Sequence, residues 1–274
     1  MNNKTSYQYL QEFCQIKSRS SFSRQENPIT PRVQYLIDEL KKLELNYELD
    51  EFAPFENIPN EKYVNIYVKF QASDVKTKET IVFLAHHDIA NPYSQNCQDN
   101  SASVCNLLEL CSVIKNTEIN KNVIVCFTDG EEPASIHSGA GRIGRLHQAK
   151  QSPFDNVDFA INLELTGRGK IIWMDYLNAI QQYQEPSLCI PYITEKIKPE
   201  VEVYTPFNDC YTLRYFGLDS ICIGCFVEND KIQIKNREYP DTWKLCHSPS
   251  DTIDKISEED MSYFVHQILT KLIP

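Results

Sequence analysis

Residues 80–88 of this chain read TIVFLAHHD, a short apolar run that ends in His86, His87 and Asp88. A continuous apolar run of this length is typical of a strand buried on both faces in the middle of a parallel sheet. Two further stretches have the same form, KNVIVCFTDGEE at 121–132 and DFAINLEL at 158–165. The sequence therefore predicts three central strands that each end in acidic or imidazole side chains.

Segments with helical periodicity separate these strands. NSASVCNLLELCSVIKN at 100–116 and GRIGRLHQAK at 141–150 read as helices, and Pro31 begins an earlier one. Further helices are predicted near 7–16, after Pro186, at 209–216 and at 258–272, and further strands at 46–52, 62–70, 170–174, 201–205 and 219–226. The alternation predicts an α/β fold, a three-layer α/β/α sandwich around a central mixed, mostly parallel sheet. No linker or repeat interrupts residues 1–274, which we expect to form a single catalytic domain.

The composition narrows the class of partner. Asp and Glu number 38 against 27 Lys and Arg, giving a net charge of −11, which disfavours nucleic acid and anionic membranes as partners. Only 8 glycines are present, too few to favour a glycine-rich phosphate loop. The segment Gly139–Gly144 matches G-x-G-x-x-G, but it does not follow a strand directly, so we expect it to begin a helix.

The N-terminus and the cysteines favour a cytoplasmic protein. Residues 1–22 are polar and show no signal peptide. The ten cysteines have no framework spacing, and several lie within apolar runs, so buried reduced thiols are expected. Cys222 and Cys225 lie within a predicted strand, which favours packing over a redox or zinc motif.

The polar residues at the strand ends form a candidate metal site. In open α/β sheets, ligands bind outside the carboxyl ends of the strands, so residues from separate strands converge there. The candidates are His86, Asp99, Glu131, Glu132, Glu164 and His247. Imidazole and carboxylate ligands suit Zn²⁺, with Mn²⁺ or Co²⁺ as substitutes. Asp88 is two residues from His86, so it can accept the free ring N–H of a metal-bound His86.

This order of residues resembles the co-catalytic di-zinc aminopeptidase family of the bacterial leucyl aminopeptidase type, which also includes glutaminyl cyclases. The resemblance covers about 81–254, and the opening helices are similar too. It implies that Asp99 bridges two zinc ions, that His86 and Glu164 complete one site, and that Glu132 and His247 complete the other. By the same resemblance Glu131 is the general base, and Asp88 is the partner of His86.

The resemblance implies a metallo-aminopeptidase, a hydrolase that removes the N-terminal residue from a peptide substrate with a free N-terminus. A metal-bridged water would attack the scissile carbonyl with Glu131 as general base. Tyr204 is a further candidate to hydrogen-bond the developing oxyanion.

The sequence departs from the family pattern around the bridging aspartate. Asn96-Cys97 and Ala102-Ser103 stand where the family usually has Gly-Ala and Ser-Gly. Glu164 stands where aspartate is more common, and Asn208-Asp209-Cys210 replaces Ser-Asp-His. These departures bear on substrate specificity and on the spacing of the metals.

Two alternatives stay open. A glutaminyl-peptide cyclotransferase would use a single zinc and the same Glu131-Glu132 pair, and the position of Asp209 and of Trp243 before His247 resembles that branch. A non-catalytic binding module with the same fold is the other. Two zinc ions per chain favour the hydrolase, one favours the cyclase, and none favours the module.

Overall fold

The computed structural model describes residues 4–17, 27–54, 61–133, 135–175, 187–205 and 207–274. Its strands form one eight-stranded sheet in the order β1-β2-β4-β3-β5-β8-β6-β7. The strands are β1 Tyr47–Phe52, β2 Tyr63–Phe70, β3 Thr80–His86, β4 Asn122–Thr128, β5 Val157–Leu163, β6 Ile171–Met174, β7 Val201–Glu202 and β8 Ser220–Phe226.

The centre of the sheet is parallel. β3 lies between β4 and β5, and β5 pairs in parallel with β8. The antiparallel pairs are β1 with β2, β2 with β4, and β6 with β8, while β6 and β7 are parallel. Because β4, β3, β5 and β8 run in one direction, their carboxyl ends lie along one edge of the sheet.

The described α-helices cover both faces of this sheet. They are α1 Ser6–Phe13, α2 Pro31–Lys42, α3 Ala102–Lys115, α4 Gly139–Gln148, α5 Cys189–Ile197, α6 Asp209–Tyr215, α7 Glu228–Lys235, α8 Glu258–Tyr263 and α9 Thr270–Leu272. Residues 264–269 form a π-helical turn that joins α8 to α9.

Successive side chains of β3 enter two different hydrophobic cores, as strand geometry requires. Phe83 belongs to the core that contains residues of α1, α2, α3 and the C-terminal helices. Leu84 belongs to a smaller core with Ile143 of α4 and Leu213 of α6. The predicted α/β fold, with helices on both faces of a mixed, mostly parallel sheet, is confirmed.

Local signals explain several helix boundaries. Thr30 caps α2 by accepting a hydrogen bond from the backbone N–H of Val33, and Pro31 occupies the first helical position, where its missing N–H costs nothing. Ser138 caps α4 in the same way at Gly141, so the Gly139–Gly144 segment begins a helix, as predicted. None of the helices in the described part of the chain is long and apolar enough to span a membrane.

One local prediction was wrong, and one helix was missed. The strand predicted at 201–205 is limited to Val201–Glu202: the backbone N–H of Val203 still donates to the oxygen of Met174, but the strand does not continue through Thr205. Helix α7 was not predicted, because Asp230 is its only buried residue and the segment therefore has no apolar stripe.

Candidate metal centre

Three parallel strands deliver their polar residues to the same edge of the sheet. His86 is the last residue of β3, and Glu164 directly follows β5. Glu131 and Glu132 lie in the loop after β4 rather than at the end of the strand itself, which stops at Thr128. Since His86 pairs with Thr128 across the sheet, these residues start from the same level.

Asp99 lies in the segment between β3 and α3, where the sequence departs from the family pattern. Asn96 has φ 49° and ψ 45°, the left-handed conformation that asparagine tolerates better than most residues. Its Nδ2 donates to the backbone oxygens of Asn91 and Ser94, at 2.8 and 3.0 Å. Asparagine therefore makes this turn in place of glycine.

Asp251 holds the other side of the same segment. Its Oδ1 accepts the backbone N–H of Gln98 at 2.7 Å, and its Oδ2 accepts that of Asp99 at 3.0 Å. Ser103, the other departure, is buried in α3 and its Oγ lies 2.9 Å from Thr166 Oγ1. Both departures are thus accommodated by side-chain hydrogen bonds.

Two groups of candidate metal ligands share Asp99. One consists of His86, Asp99 and Glu164, and the other of Asp99, Glu132 and His247, with ligand atoms within 4.8 Å of one another in each. His86 Nε2 lies 3.4 Å from Asp99 Oδ1 and 3.6 Å from Glu164 Oε2. His247 Nε2 lies 2.8 Å from Glu132 Oε2 and 3.5 Å from Asp99 Oδ2.

The two groups differ in exposure. The side chain of His86 is 1% exposed, whereas that of His247 is 58% exposed. The His86 group therefore lies at the bottom of the site, and the His247 group opens to solvent.

Asp88 connects the two groups to the loop after β4. Its Oδ1 lies 3.3 Å from Nδ1 of His86, which leaves Nε2 facing the other carboxylates. The backbone N–H groups of Glu131 and Glu132 donate to Asp88 at 3.2 and 3.1 Å. Asp88 thus lies beside the imidazole of His86, where it can pair with Nδ1 of a metal-bound ring, and it fixes the backbone of the Glu131-Glu132 pair.

The site carries more negative charge than its two imidazoles can balance. Burial raises the pKa of Glu132 to about 7, and it raises the pKa of Glu131 well above its usual range. Burial also opposes protonation of His86, but the carboxylates of Glu164 and Glu131 outweigh it and raise the pKa of His86. The hydrogen bond to Glu132 raises the pKa of His247 to about 9. Such an electrostatic environment favours a bound cation.

The residues fit a metal ion by their chemistry and by their unsatisfied atoms. Each group supplies one imidazole nitrogen and two carboxylates, a set that suits Zn²⁺. Oε1 of Glu132 is buried and has no hydrogen-bond partner in the described part of the chain. Metal coordination is a common reason for such an atom.

Glu131 lies beside the His86 group without belonging to either group. Its Oε2 is 3.9 Å from His86 Nε2, and its side chain is 14% exposed. A carboxylate in this position can exchange a proton with a molecule bound between the two groups.

A cavity of about 360 Å³ adjoins the candidate ligands. Three aromatic residues that line it, Trp173, Tyr239 and Trp243, also pack against one another through Trp243, and we call them the aromatic wall. Trp173 lies against Gly224, where a Cβ would come within 2.5 Å of the ring, so only glycine allows this approach. The described lining also contains Leu165, Thr205, Phe207, Asn208, Cys222 and Cys246.

The structure does not place Tyr204 in this cavity. Its side chain is 59% exposed, and it is not among the described residues that line the cavity. Asp209, by contrast, is buried at the start of α6, where its Oδ2 accepts a hydrogen bond from Thr128 Oγ1 at 2.7 Å. Burial raises the pKa of Asp209 to about 7.

The cysteines are packing residues in this structure. All ten are free, nine are buried, and Cys246 is partly exposed. Cys222 and Cys225 lie within β8, as the strand prediction required.

Sequence reasoning missed two residues that support the site. Arg32 of α2 is buried, and its guanidinium donates to the backbone oxygen of His87 and to Ser101 Oγ, at 3.1 and 2.8 Å. An arginine at the start of an amphipathic helix gives no sign that it will be buried. The second is Asp251, whose sequence context, SPSDT, reads as an ordinary loop.

Comparison with known proteins identifies a family whose model covers all of the candidate ligands. The model of peptidase family M28 matches residues 65–270. No curated protein matches the sequence.

Similar solved structures share the fold at low sequence identity. A glutaminyl cyclase from Porphyromonas gingivalis has a TM-score of 0.70 at 13% identity, covering 99% of this chain and 97% of its own. A Zn-dependent exopeptidase from Parabacteroides distasonis has a TM-score of 0.69 at 16% identity, covering 99% and 98%. A leucine aminopeptidase precursor from Bacteroides thetaiotaomicron has a TM-score of 0.67 at 14% identity, with the same coverage.

Proposed function

This chain belongs to peptidase family M28, and from that premise we propose that it is a zinc-dependent aminopeptidase. It would remove the N-terminal residue from a peptide with a free N-terminus. The proposed ligands are His86, Asp99 and Glu164 for one zinc ion, and Asp99, Glu132 and His247 for a second.

The observation that carries this proposal is the shared carboxylate of Asp99. Its Oδ1 faces His86 and its Oδ2 faces His247, so one side chain belongs to two complete groups of three. Two adjacent metal sites occur in aminopeptidases as well as in phosphatases and nucleases, and the match to peptidase family M28 favours the peptidase among them.

Zinc, when bound, would polarise the scissile carbonyl and lower the pKa of water. The remaining chemistry falls to the side chains of this protein. Glu131 takes a proton from the attacking water and delivers it to the leaving amine. The side chain of Asp88 keeps Glu131 in place, because Oδ1 of Asp88 accepts a hydrogen bond from the backbone N–H of Glu131.

The cavity beside the ligands would receive the side chain of the N-terminal residue. Its described lining contains aromatic and aliphatic residues together with the candidate carboxylates, and no lysine or arginine. The carboxylates would attract the substrate's protonated amine, while the apolar residues would accept an uncharged side chain.

A glutaminyl cyclase is the second candidate, and one observation favours it. The Asp99, Glu132 and His247 group is complete without His86 or Glu164, and the proposed base Glu131 directly precedes Glu132 in the chain. One zinc ion in that group would be sufficient for an acyl transfer in which the substrate's own amine is the nucleophile.

Two measurements separate the candidates. Elemental analysis of the purified protein should give two zinc ions per chain for the aminopeptidase and one for the cyclase. Incubation with peptides that begin with glutamine and with leucine should release free amino acids from the aminopeptidase, and ammonia from the glutamine peptide alone for the cyclase. A zinc-loaded protein that yields neither product contradicts both candidates.

A further inference from the structure

We propose that Asp230 is a positioning residue that sets which substrate side chains the cavity accepts, by fixing Thr242 and, through it, Trp243 of the aromatic wall. This inference rests on the proposed function, since it concerns the cavity beside the same site.

Asp230 is fully buried, and its carboxylate accepts three hydrogen bonds. Two come from Thr242: the backbone N–H donates to Oδ1 at 3.0 Å, and the hydroxyl donates to Oδ2 at 2.5 Å. The third comes from the backbone N–H of Val227, at 3.1 Å. Hydrogen bonds to a charged acceptor are stronger than neutral ones, and strongest when buried. Because Asp230 binds both Thr242 and Val227, it fixes Thr242 relative to the end of β8.

A second set of hydrogen bonds joins α7 to the neighbouring residue Asp241. Oε1 of Gln233 accepts the backbone N–H of Asp241 at 2.9 Å, and Nε2 of Gln233 donates to Oδ1 of Asp241 at 3.0 Å. Asn229 donates to Oδ2 of Asp241 at 3.0 Å. These contacts are more exposed than those of Asp230, so they support the same arrangement more weakly.

Helix α7 has few apolar contacts with the rest of the protein. Asp230 is its only fully buried residue, Ile234 is half-buried against the cluster that contains Trp173 and Phe226, and Ile232 is 49% exposed. A surface helix normally buries an apolar stripe, whereas this one buries a carboxylate that binds the next segment. The contact with residues 241 and 242 is therefore a main attachment of the helix.

That segment carries the outer part of the cavity. Trp243 follows Thr242 directly, and its ring packs against Trp173, Phe226 and Tyr239, with centroids 6.3, 5.8 and 5.5 Å apart. The short helix Trp243–Leu245 then leads to Cys246 and His247. A shift of Thr242 would therefore move Trp243 most, while the ligand His247 is also tied to Asn91, whose Nδ2 donates to its backbone oxygen.

Selectivity for the substrate side chain follows from this arrangement. A large apolar or aromatic side chain must contact the aromatic wall, whereas the methyl group of alanine reaches little of it. Loosening Trp243 should therefore reduce turnover of the large residue and spare that of the small one.

The test compares Thr242→Val, which keeps the shape but removes the hydroxyl donor, with Thr242→Ser, which keeps the donor. Thr194→Val is the matched control, because Thr194 lies on α5 and its hydroxyl donates to a backbone oxygen within that helix. Each variant is assayed with phenylalanine and alanine aminoacyl substrates, and its zinc content is measured. We expect kcat/KM for the phenylalanine substrate to fall about tenfold in Thr242→Val, mostly through KM, and that for alanine to change less than about twofold.

A second readout does not depend on catalysis. Trp173 and Trp243 are the two tryptophans of the chain, so its intrinsic fluorescence reports on the aromatic wall. Thr242→Val should shift the emission to the red and increase quenching by acrylamide, while Thr242→Ser and Thr194→Val should match the parent. An unchanged emission in Thr242→Val would overturn the inference whether or not the protein cleaves peptides. Equal losses for both substrates, or a loss of zinc, would also overturn it. Absence of hydrolysis in the parent protein, with the fluorescence result as expected, would count against the proposed function and leave the positioning role supported.

Discussion

The carboxylate of Asp251 accepts a hydrogen bond from the backbone N–H of Asp99, with 3.0 Å between Oδ2 and the nitrogen. Asp99, the residue proposed to join two metal ions, is thus positioned through its backbone by the buried carboxylate of Asp251. Asp251 also accepts the N–H of the preceding residue, Gln98, so both of its oxygens are used on this segment.

We predict that Asp251→Asn weakens zinc binding about 10- to 100-fold, the usual range for a residue that supports a metal ligand. Asparagine can accept only one of the two N–H groups, and its amide turns a donor towards the other. Titration of the metal-free protein with zinc against a competing chelator measures the effect. Asp254→Asn, an exposed change of the same type, is the control and should bind zinc like the parent.

We predict that Glu131→Gln retains zinc but loses about 10²- to 10⁴-fold in kcat, because the amide cannot accept a proton. Glu131 belongs to neither ligand group, so the metal content should not change. His247→Ala removes a ligand and should lose zinc as well as activity. Full turnover by Glu131→Gln would contradict the proposed role of Glu131 as general base.

Removal of metal should destabilise the protein as well as inactivate it. The five carboxylates of Asp88, Asp99, Glu131, Glu132 and Glu164 crowd around two imidazoles, and a cation relieves their repulsion. Zinc at 100 times its dissociation constant should add about 2.7 kcal/mol to the free energy of unfolding. Thermal melts after chelation and after readdition of zinc measure this, and coincident melts would contradict the metal centre.

The affinity for zinc should rise with pH up to about 9. In the metal-free protein, the hydrogen bond to Glu132 raises the pKa of His247 to about 9, so the imidazole carries a proton at neutral pH. A metal binds only the deprotonated ring, so each pH unit below that pKa should cost about tenfold in affinity per displaced proton. Calorimetry in buffers of different ionisation enthalpy counts the protons released. Affinity that is independent of pH between 6 and 9 would show that His247 is not a ligand.

Replacing Asn96 by alanine should destabilise the protein more than replacing it by glycine. We expect Asn96→Gly to lower the free energy of unfolding by about 1–2 kcal/mol, through the loss of two hydrogen bonds from its side chain. Asn96→Ala should cost about 1 kcal/mol more, because alanine is strained at a φ of 49°. Urea denaturation of the zinc-loaded variants measures both values, and equal stabilities would show that the backbone conformation carries no penalty.

The sequence predicted the central strands of the sheet better than the peripheral elements. β3, β4 and β5 are continuous apolar runs, so both their type and the place where their polar residues emerge could be read directly. The grouping of Asp99 with His86 on one side and His247 on the other followed from the family resemblance, and the structure brings those residues within a few ångströms. Whether they act as ligands stays a prediction.

The features that sequence reasoning missed depend on hydrogen bonds between distant segments. Helix α7 has no apolar periodicity, because its buried residue is Asp230. The cavity takes Trp173 from β6 and Trp243 from the segment after α7, and the two rings meet only in the folded chain. Arg32 is buried because it donates to His87 and Ser101, which no local pattern reveals.

The parallel core of the sheet has a consequence for how freely such a chain can diverge. The spacing between His86 and Glu164 starts from hydrogen bonds between the main chains of β3 and β5, which form whatever side chains the strands carry. Mutations can therefore exchange most of the strand residues for others of similar volume, and lengthen or shorten the loops, while the polar groups at the strand ends keep their distances. The similar structures share this fold at 13–16% identity. Such divergence is expected where backbone pairing sets the distances between the strand ends.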